Sequence, residues 1–378
     1  MTYSGTLFIL GGAIRPDHDA IWHSMVGAAG GAGSRFAVIA AASGQAEVKA
    51  QRVCERLHHY RAATLTVPLA AEGQLPFSPA VASDTNWAAA VATCDAVYLS
   101  GGDQGRLRHL LLRSDGSDSL VLAAIRQVFL RGGVIAGSSA GAAVLSQLML
   151  ADAGRSLQAL QRGLAIPHAI CGGLGFAPQD MLIDQHAIAR GRYGRMLAAQ
   201  IATGIPLAAG IDEDTALILQ DGIARVCGSG VVLTDIRMAQ VNPVPPLRAN
   251  NVRLSLLRHG DWLALSDWEI HPAEGAKIIP LCSAAEKSLY GASLPDAFDG
   301  TSLEQITENL IRSPAADCRA MADNGEYPSY EVRFRKTAAT RAWIKENQEY
   351  RQLSFAGLQL SAEPDTMRSN NDFSVDIL

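Results

Sequence analysis

The sequence predicts an α/β fold built on a largely parallel sheet flanked by helices, and three observations support this. Short apolar segments typical of buried strands recur along the first 211 residues, and longer helix-compatible segments separate most of them. Two of these segments end in polar or glycine-rich turns, which suits the carboxyl ends of parallel strands, where α/β proteins carry their sites. The predicted strands are Thr6–Leu10, Phe36–Ala41, Leu65–Val67, Ala96–Leu99, Val134–Ala136 and Leu207–Ile211.

The composition limits the class of protein. With 378 residues, of which 48% are hydrophobic and 18% charged, the chain can bury a large core. The net charge of -5 and the absence of a long basic block argue against a nucleic-acid partner. The first residues carry no positive region, and Thr6–Leu10 is too short for a signal peptide or a membrane span, so we expect a cytoplasmic protein without a membrane partner.

Neither cysteines nor histidines indicate a metal or redox site. The six cysteines include no Cys-x-x-Cys pair, and the nine histidines lack metal-ligand spacing. We therefore expect no metal, and buried thiols in place of a redox motif.

The segment Gly137–Gly141 reads Gly-Ser-Ser-Ala-Gly and lies between a predicted strand and a helix-compatible stretch. In a Gly-x-Ser-x-Gly turn, small neighbours let the chain bend sharply and expose the hydroxyl of the central serine, here Ser139. An equally good interpretation of this short match is that small residues only let the strand and the helix pack closely.

A serine nucleophile needs a base and a group that orients the base. His186 lies in the segment Asp184–Arg195, and Glu213 follows the predicted strand Leu207–Ile211. A structural histidine and an acidic surface turn are the alternatives. The order serine, histidine, acid disfavours an ordinary α/β-hydrolase, in which the acid precedes the histidine.

With these motifs, the chain resembles the cyanophycinases, members of the serine peptidase family that also includes peptidase E, an aspartyl dipeptidase. The resemblance covers roughly residues 5–270 and is strongest in the Asp-Gln-His segment with its spaced arginines. It implies a sheet of the peptidase E and class I glutamine amidotransferase type, and the residues beyond it form a C-terminal extension. The motifs are Gly101–Gln104, Gly137–Gly141, Asp184–His186 with Arg190, Arg192 and Arg195, and Gly210–Ala216.

The resemblance also implies an activity. Cyanophycinases cut the poly-aspartate backbone of cyanophycin, whose side chains carry arginine, and release β-aspartyl-arginine dipeptides. Ser139 would be the nucleophile, His186 the general base and Glu213 its orienting acid, with no cofactor and with a homodimer as the expected assembly. The backbone N–H groups of Ala140 and of Gly102 or Gly101 would form the oxyanion hole. The implied substrate-binding residues are Gln104, Asp184, Gln185, Arg190, Arg192 and Arg195.

Within these substrate contacts, we expect the arginines to bind carboxylates and Asp184 to face a guanidinium. Two other functions stay open: an aspartyl dipeptidase or related serine peptidase of the same fold, and a catalytically inactive polymer-binding protein.

The pattern of the sequence changes near Pro272. We expect a catalytic domain over residues 1–271 and an accessory extension over residues 272–378, whose polar tail from Glu363 is partly disordered. Antiparallel strands are predicted over Val226–Asp235 and Val252–Leu265. In the extension we predict a helix that opens with a capping box at Thr301 and a strand over Tyr330–Phe334.

Overall fold

The computed structural model describes residues 5–281, 288–290, 294–346 and 351–365. The helices are α1 (Asp19–Ala28), α2 (Ala46–His59), α3 (Thr85–Ala92), α4 (Gln104–Leu111), α5 (Leu120–Leu130), α6 (Ala140–Ala143), α7 (Ser156–Arg162), α8 (Tyr193–Thr203) and α9 (Ser302–Arg312). The strands are β1 (Thr6–Leu10), β2 (Arg35–Ile39), β3 (Ala63–Val67), β4 (Ala96–Leu99), β5 (Val134–Ser138), β6 (Leu148–Leu150), β7 (Ile170–Gly172), β8 (Met181–Gln185), β9 (Leu207–Ile211), β10 (Thr215–Gln220), β11 (Ile223–Gly228), β12 (Val231–Asp235), β13 (Gln240–Asn242), β14 (Arg248–Leu257), β15 (Trp262–Ala264), β16 (Ile270–His271), β17 (Lys277–Ile279), β18 (Ser288–Tyr290), β19 (Asp317–Ala322), β20 (Tyr330–Arg335), β21 (Arg341–Glu346) and β22 (Arg351–Pro364).

The first sheet has the strand order β16-β15-β11-β10-β1-β5-β4-β2-β3. In the part β1-β5-β4-β2-β3, neighbouring strands are parallel. In the part β16-β15-β11-β10-β1, neighbouring strands are antiparallel. Successive side chains of a strand point to opposite faces. Phe8 therefore packs with residues of α1 and α2, while Leu7 packs with residues of α3 and α5. Helices cover both faces, and the predicted α/β fold class is confirmed.

A second sheet runs in the order β18-β19-β20-β22-β14-β12-β9-β8. It contains Leu207–Ile211, which pairs in parallel with Met181–Gln185 and antiparallel with Val231–Asp235, and not with the other strands predicted for the parallel sheet. All five residues of Leu207–Ile211 are buried. A continuous apolar run predicts a buried strand but does not specify which sheet the strand joins.

The chain crosses between the two sheets in the regions predicted as antiparallel strands. Each region is divided into two strands, β11 with β12 and β14 with β15, and the members of each pair lie in different sheets. The breaks fall at residues 229–230 and 258–261. The chain also crosses between the sheets after β9 and after β16, and the two sheets share an apolar core.

The C-terminal extension continues the second sheet because β22 pairs antiparallel with β14 on one side and with β20 on the other. The helix predicted from Thr301 begins at Ser302, but the Thr301 side chain makes no capping bond. Glu304 instead pairs with Arg258 at 2.5 Å. The domain boundary near residue 272 stays a prediction, and the tail beyond residue 365 lies outside the described residues.

Asp261 joins the extension to the preceding strands. Its carboxylate is 1% exposed and accepts hydrogen bonds from the backbone N–H groups of Arg258 (2.8 Å) and Ala273 (2.7 Å). It also accepts bonds from the indole of Trp343 (2.8 Å) and the hydroxyl of Ser354 (2.6 Å), both in the extension. Four donors thus converge on one buried side chain, which fixes the extension against the β14–β15 turn.

Within the described ranges, none of the helices combines the length and the apolar character needed to cross a bilayer.

Candidate active site

The end of β1 brings the predicted catalytic segments together. The backbone N–H groups of Ser139, His186 and Asp214 donate to the carbonyl oxygens of residues 10, 11 and 12, at 2.9, 3.1 and 2.9 Å respectively. Three segments that are far apart in the sequence are therefore hydrogen-bonded to the residues at the end of β1. This arrangement places the predicted serine, histidine and acid at the same edge of the fold.

Ser139 lies on the turn from β5 to α6 with φ 54° and ψ -114°. A non-glycine residue with positive φ is uncommon and costs energy, and such strain concentrates at functional sites. This is the conformation that a nucleophile elbow requires, with the hydroxyl exposed at the strand end.

The three predicted catalytic side chains form one hydrogen-bonded line. Ser139 Oγ lies 2.9 Å from His186 Nε2, and His186 Nδ1 lies 2.6 Å from Glu213 Oε1. His186 follows β8 and Glu213 follows β9, and the parallel pairing of these strands puts both residues at one end. Because Nδ1 faces a carboxylate, it carries the proton, which leaves Nε2 free to accept the proton of the serine.

Burial lowers the pKa of His186 below its ordinary value of 6.5. The hydrogen bond to Glu213 opposes this effect, while the positive charges of Arg190 and Arg192 add to it. The imidazole is therefore neutral at pH 7, which is the form that a general base needs.

This pKa predicts the pH dependence of any hydrolysis at the site. We expect kcat/KM to fall on the acid side with a midpoint below pH 6.5, since protonated His186 cannot accept the serine proton. Arg190→Gln removes a positive charge that lowers the pKa, so it should move this midpoint to higher pH. Profiles of kcat/KM against pH measure both, with Arg113→Gln as an exposed control. A midpoint that stays fixed or falls in Arg190→Gln would contradict the assignment.

The backbone around Ser139 suits an oxyanion hole. A Cβ on Gly101 would lie 3.0 Å from the Cβ of Ser139, and one on Gly102, where φ is 152°, would collide with the Ala42 carbonyl. Only glycine lets the backbone come this close. The N–H of Ala140 opens α6, where a helix leaves its first N–H groups without intrahelical partners. The oxyanion role of Gly102 and Ala140 stays a prediction that this geometry supports.

Two site residues were missed by the sequence reasoning. A Cβ on Gly12 would lie 2.5 Å from His186 Cε1, so this glycine lets β1 approach the imidazole. The Asp212 carboxylate, 9% exposed, accepts the N–H groups of Ile188 (3.0 Å) and Ala189 (2.9 Å) and so holds the turn that follows the histidine. Gly12 could have been identified from the sequence, because Gly11 and Gly12 directly follow a predicted strand.

Asp184 and Arg195 bind each other. Arg195 donates from Nε to Oδ2 at 2.6 Å and from Nη2 to Oδ1 at 2.5 Å, and Asp184 is only 2% exposed. Asp184 was predicted to face a substrate guanidinium. The guanidinium that it faces here belongs to the chain, because burial and this two-bond pairing occupy both carboxylate oxygens.

Two predicted glutamine contacts are also engaged within the protein. Gln185 is buried, and its side-chain and backbone oxygens accept from Nη1 of Arg192 at 2.8 and 2.7 Å. Gln104 donates its amide to the carbonyl oxygens of Leu150 and Ala151 at 3.1 and 2.9 Å. In contrast to the two glutamines, Arg190 has an exposed side chain. It is 53% exposed, and its Nε lies 3.9 Å from Glu213 Oε1.

A cleft of about 750 Å³ opens beside Arg190. It is lined by the segments that lead into α7 and α8 and by residues of the extension. Its charged lining residues are Arg155, Arg190, Arg192, Arg195, Asp296, Asp299 and Asp323. Among the described residues, no group of three or more histidine, cysteine, aspartate or glutamate side chains is arranged to hold a metal ion.

Comparison with known proteins agrees with the motifs. Residues 80–227 match Peptidase family S51. The cyanophycinases of Trichormus variabilis and Nostoc sp. are each 38% identical to this chain over 195 residues, which are 49% of the chain and 62% of each relative. The cyanophycinase of Synechococcus elongatus is 38% identical over 182 residues, which are 46% of the chain and 53% of the relative. The chain thus spans less than two thirds of the length of these curated relatives.

Solved structures give more distant matches. A peptidase from an acI-B1 Actinobacterium matches at 18% identity and a TM-score of 0.49, covering 69% of this chain and 96% of that one. A putative peptidase E from Listeria monocytogenes matches at 14% identity and a TM-score of 0.39, covering 59% and 98%. The resemblance seen in the sequence is confirmed by the family match and the curated relatives: residues 80–227, which match Peptidase family S51, contain Ser139, His186 and Glu213.

Proposed function

We propose that the protein is a cyanophycinase, a serine-type peptidase that hydrolyses the poly-aspartate backbone of cyanophycin and releases β-aspartyl-arginine dipeptides. The observation that carries this proposal is the hydrogen-bonded line of Ser139, His186 and Glu213 inside the stretch that matches the family. The curated relatives, which are cyanophycinases, supply the substrate.

The chemistry follows from the geometry of the three side chains. His186 Nε2 takes the hydroxyl proton as Ser139 Oγ attacks the backbone carbonyl, and Glu213 stabilises the imidazolium that forms. The N–H groups of Ala140 and Gly102 hold the oxyanion of the tetrahedral intermediate. His186 then gives its proton to the leaving amine, and a water molecule hydrolyses the acyl-enzyme by the same steps in reverse.

Arg190 is the proposed contact for the carboxylate of the substrate arginine. Its guanidinium is half exposed, lines the cleft and lies beside Glu213, so a carboxylate bound there is close to the nucleophile. Arg192 lines the same cleft, held by Gln185. We assign the buried pair of Asp184 and Arg195 a supporting role, because a buried ion pair fixes the position of the segment that carries it.

Replacing Arg190 with lysine tests this assignment. A lysine keeps the charge but cannot make the forked contact with a carboxylate. We expect Arg190→Lys to raise KM for cyanophycin about tenfold with a smaller effect on kcat, as expected when a charge-assisted hydrogen bond is weakened. Steady-state kinetics on the polymer measure this, with Arg113→Lys as the control. A KM equal to that of the wild type would remove Arg190 from the substrate site.

Two rival functions are separable by experiment. An aspartyl dipeptidase would cleave small α-aspartyl dipeptides and leave the polymer intact, so parallel assays on both substrates distinguish it. A serine-directed covalent inhibitor would modify Ser139 in a peptidase, and the mass of the protein would rise by that of the bound inhibitor. An inactive polymer-binding protein would not react at Ser139. The proposal also includes a cytoplasmic homodimer, as the resemblance implies, and sedimentation analysis tests the assembly.

A further inference from the structure

The cleft beside the site is lined by side chains of opposite charge. Its lining combines arginines from the catalytic segments with three aspartates from the extension, namely Asp296, Asp299 and Asp323, which we call the acidic wall. Its volume of about 750 Å³ lies within the range of sites that bind small molecules, about 300–1,000 Å³. A ligand suited to this cleft carries an anionic group and a cationic group at separate ends.

The acidic wall is fixed to the arginine segment. The hydroxyl of Tyr193 donates to the carbonyl oxygen of Ala297 at 2.5 Å, and the ring of Phe298 packs against Tyr193 at a centroid distance of 4.9 Å. A Cβ on Gly194 would lie 2.6 Å from that ring, and one on Gly191 would collide with the Phe298 carbonyl. The extension therefore packs directly against the start of α8, where two glycines make room for it.

The aspartates of the acidic wall differ in the hydrogen bonds that their carboxylates make. Asp296 accepts the N–H groups of Phe298 and Asp323, each at 2.8 Å, and so ties the two loops of this wall together. The carboxylate of Asp299 is exposed, and it has no hydrogen bond or ion pair within the described part of the chain. It is therefore the group with both oxygens available to a ligand.

We propose that the C-terminal extension supplies the guanidinium subsite of the substrate cleft, with Asp299 as its principal anion. This inference rests on the proposed function. The branched unit of cyanophycin ends in an arginine that carries both a free carboxylate and a guanidinium. With the carboxylate at Arg190, the guanidinium reaches across the cleft to Asp299, whose two oxygens match the paired N–H donors of a guanidinium. The extension thereby selects arginine-bearing polymer.

The test compares two synthetic aspartate oligomers, one bearing arginine on every side chain and one bearing citrulline, its neutral isostere. We expect wild-type protein to prefer the arginine oligomer in kcat/KM. Asp299→Asn should lower kcat/KM on the arginine oligomer about tenfold and leave the citrulline oligomer within about twofold, as the loss of a charge-assisted hydrogen bond predicts. Asp221→Asn, in the exposed turn between β10 and β11, is the matched control.

The outcomes separate this inference from the proposed function. If Asp299→Asn cleaves both oligomers with wild-type preference, the subsite assignment is overturned while the peptidase activity stands. If wild-type protein cleaves neither oligomer, the proposed function fails. In that case, the affinities of β-aspartyl-arginine and β-aspartyl-citrulline are measured for the wild-type and the Asp299→Asn protein. If the wild-type protein binds both dipeptides equally well, the subsite assignment is overturned.

Discussion

Ser139→Ala is expected to reduce hydrolysis of cyanophycin by about 10⁴-fold or more, as in other serine triads that lose the nucleophile. The loss follows because, in the proposed mechanism, His186 activates Ser139 Oγ, which lies 2.9 Å from its Nε2. Substrate binding and the melting temperature should stay unchanged, since removal of one oxygen leaves the elbow and the cleft in place. Single-turnover kinetics and polymer pull-down measure the two effects.

Ser138→Ala is the matched control, because Ser138 is the adjacent hydroxyl at the end of β5. We expect this variant to keep most of its activity. An inactive Ser138→Ala protein together with an active Ser139→Ala protein would show that the nucleophile has been misassigned.

Asp261→Ala is expected to cause the largest loss of stability among the single changes considered. The change removes the acceptor of four hydrogen bonds at a site that is 1% exposed, including those from Trp343 and Ser354 of the extension. Buried donors without partners cost about 1–3 kcal/mol each, so we expect a loss of at least about 3 kcal/mol in the free energy of unfolding. Urea unfolding followed by tryptophan fluorescence measures it.

Asp17→Ala is the control for this experiment, since Asp17 is exposed in the loop between β1 and α1. It should change the free energy of unfolding by less than about 0.5 kcal/mol, as surface changes usually do. Equal midpoints for Asp261→Ala and the wild-type protein would mean that the buried carboxylate does not hold the extension in place.

Ser139 and Glu213 were predictable from the sequence because each follows a predicted apolar strand. His186 follows β8, which was not predicted as a strand, and it was identified from its Asp-Gln-His segment. Ser139, His186 and Glu213 come one or two residues after β5, β8 and β9, and strand ends converge in α/β folds. Motif spacing also made the family match predictable.

The contacts between side chains and between strands were not predictable in the same way. The sequence marks Asp184 and Arg195 as charged but does not show that they bind each other, because nothing in their spacing reveals that both are buried. The second sheet was missed for a similar reason, since the apolar run of β9 suits either sheet. The aspartates of the cleft lie in loops more than a hundred residues from the arginines that line the same cleft.

The central claim is that the site cleaves the backbone of cyanophycin and leaves the isopeptide bond intact. Arg190 lies 3.9 Å from Glu213 and lines the cleft. In the proposed binding mode, a carboxylate bound to Arg190 would direct the branched side chain along the cleft and leave the backbone carbonyl at Ser139. A misplacement of about 1 Å can cost on the order of a hundredfold in rate, so the isopeptide bond should be cut far more slowly. The most direct test is incubation of the purified protein with purified cyanophycin, followed by mass analysis of the soluble products over time. We predict β-aspartyl-arginine dipeptide with little free arginine or aspartate. Free arginine released early in stoichiometric amount, or polymer left intact, would contradict the claim.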